Sequence, residues 1–434
     1  MLDSISPIDG RYRKHTEPLA EFFSEFAFMK YRIFMESRYL EAFLKIIGKK
    51  SKKIDIEFTE QDAKAIKKIE ETTNHDLKAI EYWMREKLPK ELGNWIHFGL
   101  TSQDATNIAQ ARMLKGALEN VIIPILEKIL QTLRSLSTTH YALPMLARTH
   151  GQSASPTTFG KEMGVFAWRL NRQVAQLKKF KLTAKLNGAT GNYNALAVAY
   201  PKIDWIAFSK KFLASLGLEA TLLTTQIEPY DNQAELFDLL RRINMILIDF
   251  DRDVWQYISD GWIVQKTVAG EVGSSTMPHK INPIKFENSE GNLGIANALF
   301  QYFAIKLPVS RLQRDLTDST VERALGTAFG HALVGYQNIL EGLDRIAVNE
   351  VAMLQALQAH PEVLAEAIQT ILRREGVAMP YEKLKALTRG KELTLEALSV
   401  FISELEVSDA VKKELRALRP ETYIGLASKL ARHG

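Results

Sequence analysis

DNQAELFDLLRRINMILIDFDRDVWQYISDGWIVQ, residues 231–265, carries apolar residues at helical spacing, with Leu236, Leu240, Ile243 and Leu247 on one face. The pattern predicts one helix over 231–265, longer than the ordinary globular helix. Segments on both sides read alike. Long helices are predicted over 103–138, 157–180, 286–305 and 317–342, with a shorter one over 202–215 and a possible kink at Pro124. Between Lys185 and Tyr200, KLNGATGNYNALAVAY reads as an ordered loop. Helices this long bury their faces in a bundle, often one shared between subunits. Strand signals are weak throughout. The predicted fold class is all-α, with a central long-helix bundle that assembles into a multi-subunit helical core.

The flanks are organised differently. Residues 1–18 are irregular, with Pro7, Gly10 and Pro18, and Phe22, Phe26, Met29 and Ile33 then open a helix that reaches Ile47. Thr59 with Asp62 has the form of a capping box. TTNHD at 72–76 interrupts before a helix resumes to Lys87, and Pro89–Gly93 marks a boundary. Beyond Leu343 the helices shorten, with breaks near Glu375–Pro380, Arg389–Gly390 and Pro420. Three helical domains are expected: 1–92, 93–343 and 344–434.

Composition bounds the function. The 434 residues are 46% hydrophobic and 25% charged, as in ordinary soluble globular proteins. Lys and Arg number 56 against 51 Asp and Glu, a net charge of +5 that suits small anions. No dense basic stripe interleaved with aromatics points to nucleic acid. The run at Lys49, Lys50, Lys52 and Lys53 reads as a solvated loop. The absence of cysteine excludes disulfides and thiolate chemistry and fits a reducing compartment. The N-terminus lacks the apolar centre of a signal peptide, and no run approaches the ~18 apolar residues of a membrane span. A cytoplasmic protein with no membrane partner is expected.

Beyond the opening helix lies Gly270–Pro283, GEVGSSTMPHKINP. Its glycines and prolines break helices, yet long helices flank it. Ser274 and Ser275 are potential proton-transfer groups. Lys280 and Asn282 supply a cation and a neutral donor, both suited to a carboxylate that gains charge during reaction. A flexible connector is the alternative, and composition does not decide between them. Arg148-Thr149-His150-Gly151-Gln152 holds a histidine able to exchange a proton near neutrality, or a structural one near a helix start. Thr101 or Ser102 reads as an N-cap, and a helix start also binds anions.

GSSTMPHKINP at 273–283 resembles the hallmark loop of the fumarase/aspartase superfamily, whose members eliminate fumarate from a substituted succinate. THGQ at 149–152 resembles its histidine segment, with Ser153 where proline is usual, and Thr101-Ser102 resembles its carboxylate-binding segment, with Gln103 where an acidic residue is common. Four further segments narrow the match: SPIDGRY with Arg11-Tyr12, TTNHD with Asn74-His75-Asp76, TTQIEPYD with Gln226, and RLQRDLTDSTVER at 311–323. Together these resemble the longer bacterial branch of the adenylosuccinate lyase family over nearly the whole chain.

The resemblance implies cleavage of adenylosuccinate to AMP and fumarate. It also implies cleavage of the succinyl-carboxamide imidazole ribotide to its carboxamide and fumarate. It implies no metal or organic cofactor. Ser274 is implied as the base, and nothing else in the sequence prefers it to Ser275. His150 is implied as the acid. Substrate contacts are implied at Arg11, Tyr12, Asn74, His75, Asp76, Thr101, Ser102 and Gln226. They are also implied at Ser275, Lys280, Ile281, Asn282, Asn288, Arg314, Ser319, Thr320 and Arg323. Arginine forks suit phosphate or carboxylate. In one up-and-down bundle, successive loops fall at opposite ends, about 30 Å apart for 20-residue helices. His150 and Ser274 would then meet only between chains, and the superfamily's arrangement is a homotetramer with sites built from three subunits. Two alternatives stay open: another fumarate-forming lyase such as argininosuccinate lyase, and a non-catalytic helical scaffold.

Overall fold

The stripe formed by Leu236, Leu240, Ile243 and Leu247 is buried along a 29-residue helix, Asp231–Ser259. At 1.5 Å per residue that helix is about 43 Å long. The computed structural model describes residues 3–50, 52–266, 277, 280–388 and 394–433. Helices dominate these residues, and strands occur only as three two-stranded sheets among them. No helix among the described residues is long and apolar enough to cross a membrane.

The chain forms two compact units. The first comprises Met1–Leu126, Gln173–Met245 and Ser289–Gln337. Here helix Glu25–Ile46 starts at Ser24, whose hydroxyl accepts the Ala27 N–H at 3.0 Å. Its Tyr39 and Phe43 enter an aromatic core with Phe98, Trp205, Phe208 and Phe212, and Tyr39 Oη donates to the Phe98 carbonyl at 2.7 Å. Helix Ser102–Ala117 packs on it, and a Cβ at Gly116 would lie 3.1 Å from Tyr31 Oη of that helix and 2.5 Å from the Phe22 ring of the short helix Ala20–Phe23 before it. The Thr59–Asp62 capping box is complete and opens helix Glu60–Thr73. Asn74 (φ 49°) ends that helix in the left-handed region, and His75 at once caps the next, Asp76–Lys87.

The second unit comprises Glu127–Arg172, Ile246–Asn288 and Asn338–Gly434. Strands Pro144–Thr149 and Gln152–Thr158 form an antiparallel hairpin, irregular between Met145 and Ala147. Ile263–Gln265 pairs antiparallel with Ile346–Val348. The later helices, from Ala365–Arg374 to Asp409–Ala417, gather a small core of Leu364, Ile368, Leu372, Leu398, Ile402 and Leu415.

Several predicted helices are shorter or divided. The 103–138 helix is Ser102–Ala117 and Ile123–Thr139, joined by a π-helical turn at Leu118–Ile122. Pro124 explains it: proline has no N–H for the preceding turn and its ring crowds the carbonyl there. Within that turn Asn120 Nδ2 donates to the Gly116 carbonyl at 2.8 Å. The 231–265 helix stops at Ser259 because Gly261 (φ 72°) forms a Schellman cap, with Trp262 N–H on Tyr257 O at 2.9 Å and Gly261 N–H on Ile258 O at 3.1 Å. The 317–342 helix is two, Thr317–Glu322 and Leu325–Asp344. The 185–200 loop includes a short helix, Asn194–Ala199.

Candidate active site

In the first unit the starts of two helices face each other. Thr101 caps helix Ser102–Ala117, and its N–H donates to Asp104 at 3.0 Å. His75 caps Asp76–Lys87 by accepting the Lys78 N–H on Nδ1 at 3.1 Å. An acceptor at Nδ1 leaves the neutral ring's proton on Nε2. That Nε2 lies 3.4 Å from Ser102 Oγ. An exposed helix start at His75 and a half-buried one at Thr101–Ser102, with a hydroxyl and an imidazole N–H, thus share one surface, with donor chemistry that suits carboxylate or phosphate oxygens.

Asp76 joins this surface to a third segment. Its carboxylate takes Arg32 Nη1 at 2.7 Å and lies 3.6 Å from Arg323 Nη2. Burial pushes the Asp76 carboxyl up, but Arg32, the Leu77 N–H and Arg323 together hold it below the usual range. Arg323 Nη1 also donates to the carbonyl of Ser319 at 2.8 Å and to its hydroxyl. Ser319, Thr320 and Arg323 thus come from one short helical turn, and Thr320 is exposed. A cavity of about 350 Å³ adjoins them, lined by Arg32, Asp76, Gln110, Ser319, Glu322 and Arg323 with apolar walls from Phe28 and Met113.

Gln226 and Arg314 form the other edge. Arg314 Nη1 donates to Gln226 Oε1 at 3.1 Å, and Gln226 Nε2 donates to the Ala189 carbonyl at 3.0 Å. Beneath them Gln103 Nε2 donates to Tyr230 Oη at 2.8 Å, which donates to Asp318 at 3.2 Å. Arg11 is exposed and Tyr12 half-buried, on the N-terminal segment whose Ile8 and Asp9 share a cavity of about 340 Å³ with Arg323. Asn74 is exposed at its left-handed position.

The remaining described candidates lie in the second unit. His150 is not in a loop that merely precedes a helix. It is the first of two residues at the tip of the 144–158 hairpin, with Thr149 paired to Gln152. His150 (φ 55°) and Gly151 (φ 77°) have the twist of a type I′ turn, and the imidazole is exposed. Arg148, two residues earlier, lies 3.6 Å from Asp260 and stacks on Trp262. Lys280 and Ile281 are exposed, Asn282 is half-buried, and the Ile281 carbonyl accepts from Gln265 Nε2 at 2.8 Å. Asn288 is half-buried on helix Ile284–Lys306. Ser274 and Ser275 lie outside the described residues.

Reading the sequence alone passed over several groups beneath these donors: Arg32, Asp104, Lys185, Tyr230 and Glu322. Lys185 had a usable signal, a lysine set in the apolar run Leu182–Leu186 just before a glycine turn. The others look like ordinary helix or loop residues.

The chain matches the family described as Lyase over residues 12–297 and that described as Adenylosuccinate lyase C-terminal over residues 310–424. It is 48% identical to adenylosuccinate lyase of Escherichia coli strain K12, across 98% of this chain and 97% of that protein. To the enzymes of Vibrio cholerae and Dictyostelium discoideum it is 49% identical, across 99% and 98% of this chain and 98% and 97% of theirs. The chain belongs to the adenylosuccinate lyase family. Solved structures of the wider fold agree at low identity. A fumarate lyase from Mesorhizobium sp. BNC1 matches with TM-score 0.77 and 18% identity over 96% of this chain and 97% of that one. A 3-carboxy-cis,cis-muconate lactonizing enzyme from Pseudomonas putida matches with TM-score 0.74 and 19% identity over 96% of each. Within the adenylosuccinate lyase family, then, this chain keeps the helical fold and is matched from its N-terminal region through to its C-terminal one.

Proposed function

We propose that the chain eliminates fumarate from adenylosuccinate to give AMP, and from the succinyl-carboxamide imidazole ribotide to give its carboxamide, in purine nucleotide synthesis. The observation that carries this is the near-full-length identity to adenylosuccinate lyases, joined to a match with that family's C-terminal region.

In the proposed mechanism Ser274 takes a proton from the succinyl carbon beside a carboxylate. The electron pair spreads into that carboxylate, where Lys280, Asn282 and the Thr101–Ser102 donors offset the added charge. The pair then returns to form the fumarate double bond as the C–N bond breaks. His150 gives its proton to the departing nitrogen. Serine is a weak base, so an electropositive, water-poor surrounding is required. Arg11, Tyr12, Arg314, Ser319, Thr320 and Arg323 are assigned to phosphate and ribose, with Asn74, His75, Asp76 and Gln226 around the base and succinyl group. The donor-rich surface of the first unit supports that assignment. Ser275, Ile281 and Asn288 complete the contacts.

The working form is proposed as a cytoplasmic homotetramer with sites shared between subunits. Long helices keep large apolar side chains exposed, including Trp168, Met245, Ile295, Tyr302 and Ile305, which suits burial against further copies. The three-domain division at 92 and 343 is retained as part of this proposal.

The test is an absorbance assay of purified protein with adenylosuccinate, with fumarate identified as product and argininosuccinate as control. Fumarate from adenylosuccinate alone is expected. Fumarate from argininosuccinate alone would move the chain to a different lyase, and none from either would leave a scaffold.

A further inference from the structure

Lys185 and Asp104 are both fully buried in the first unit, and Lys185 Nζ lies 2.9 Å from Asp104 Oδ1. Each group's bonding capacity is filled. The ammonium has three protons. They go to Asp104, to the Gly188 carbonyl at 2.9 Å and to the Gln226 carbonyl at 2.7 Å. Asp104 accepts the N–H groups of Thr101 at 3.0 Å, Asn187 at 3.2 Å and Gly188 at 3.1 Å besides. Asn107, one turn further along the same helix, holds the Lys185 backbone from both sides. Its Oδ1 accepts the Lys185 N–H at 2.8 Å and its Nδ2 donates to the Lys185 carbonyl at 3.1 Å.

Every segment tied here carries a proposed substrate contact or touches one. Thr101 begins the helix start shared by Ser102. Gln226 is gripped by its carbonyl, while its side chain runs from the Ala189 carbonyl to Arg314. The loop between them is locked as well. Asn187 Nδ2 reaches Leu222 O at 3.2 Å and Thr224 Oγ1 at 2.8 Å, and a Cβ at Gly191 (φ 81°) would lie 2.2 Å from the Thr224 carbonyl. A buried ion pair is weak evidence for stability, because desolvating two charges offsets their attraction and apolar replacements are often neutral. Its distinctive contribution is directional, and here the directions meet at the site.

We propose that the Lys185–Asp104 pair is a positioning device: without touching substrate, it fixes the Thr101–Ser102 helix start, the 187–191 loop and Gln226 in the one arrangement that binds the nucleotide adduct. This rests on the proposed function. The experiment compares wild type with Asp104→Asn/Lys185→Met, which removes both charges at similar volume, and with Asp104→Asn alone. Unfolding midpoint, KM and kcat for adenylosuccinate, and Kd for AMP by calorimetry are measured for each. The double variant is expected to unfold within a few degrees of wild type, with KM and the AMP Kd raised at least tenfold. A folded double variant with both constants within twofold of wild type overturns the proposal. If the double variant does not fold, Asp104→Asn decides, because the lysine retains its other two acceptors. A fivefold weaker AMP Kd in a folded protein supports positioning, and an unchanged Kd overturns it. Failure of both to fold assigns the pair to stability alone and also overturns it. A wild type that releases no fumarate counts against the proposed function, while the AMP Kd values still judge the pair.

Discussion

His75 Nε2 lies 3.4 Å from Ser102 Oγ, while Nδ1 of the same ring caps helix Asp76–Lys87. One imidazole therefore serves a fold contact on one edge and the proposed substrate surface on the other. Substitution separates the two. Alanine loses both, with about 1 kcal/mol for the cap. Asparagine is a good N-cap but too short to reach Ser102. His75→Asn is expected to keep the wild-type thermal midpoint within a few degrees while kcat/KM for adenylosuccinate falls at least tenfold. Unchanged kcat/KM in this variant would confine His75 to capping.

Glu322 supplies a pH dependence. Burial pushes its carboxyl up, Gln110, Tyr230 and Arg32 pull it down and Asp318 pushes it up, which together leave it raised to about 7. A carboxyl raised in the folded state binds its proton more tightly there than in the unfolded chain. Its contribution to stability is complete below its ordinary value near 4.5 and is lost as pH rises through 7. At 1.36 kcal/mol per unit the loss is at most about 3 kcal/mol. Glu322→Gln abolishes that loss. Urea midpoints of variant and wild type at pH 5 and pH 8, at one protein concentration, should differ in the variant's favour by more at pH 8. A gap independent of pH would show that Glu322 stays ionised throughout.

The hairpin tip gives a conformational prediction for His150. Gly151 has φ 77°, and a Cβ there would meet nothing within 4 Å. Substitution is therefore strained but not crowded, by about 1–2 kcal/mol for an ordinary L-residue. Asparagine tolerates this region and valine does not. Gly151→Asn should retain most turnover, and Gly151→Val should lose it by a factor of ten or more with helical circular dichroism intact. Equal activity in both variants would mean that the exact turn, and so the aim of His150, does not matter to the reaction.

What the sequence made legible was local. The Thr59–Asp62 box and the Leu236–Leu247 stripe are each decided within a few turns of helix and stand as read, and of the two cap candidates Thr101 and Ser102 the structure takes Thr101. The helix ends were legible in principle, since Gly261 follows Asp260 as a stop signal. The apolar Trp262-Ile263-Val264 masks it, and Ile263–Gln265 continues as a strand. The 144–158 hairpin was hidden differently: its strands are short, partly exposed and joined by only two residues. Motifs named the candidate site residues but not their supports. Asp104 meets Lys185, and Arg32 meets Asp76, only once distant segments fold together. No periodicity or spacing encodes such pairings.

The central claim is that one site takes its acid and its base from different copies of this chain. It is tested most directly by complementation. His150→Ala and Ser274→Ala proteins, each expected to be inactive, are mixed, gently dissociated and allowed to reassociate, and hybrid tetramers are verified by mass spectrometry. The account predicts fumarate release from adenylosuccinate well above either parent, because some mixed sites regain both residues. Verified hybrids with no recovered activity would contradict it.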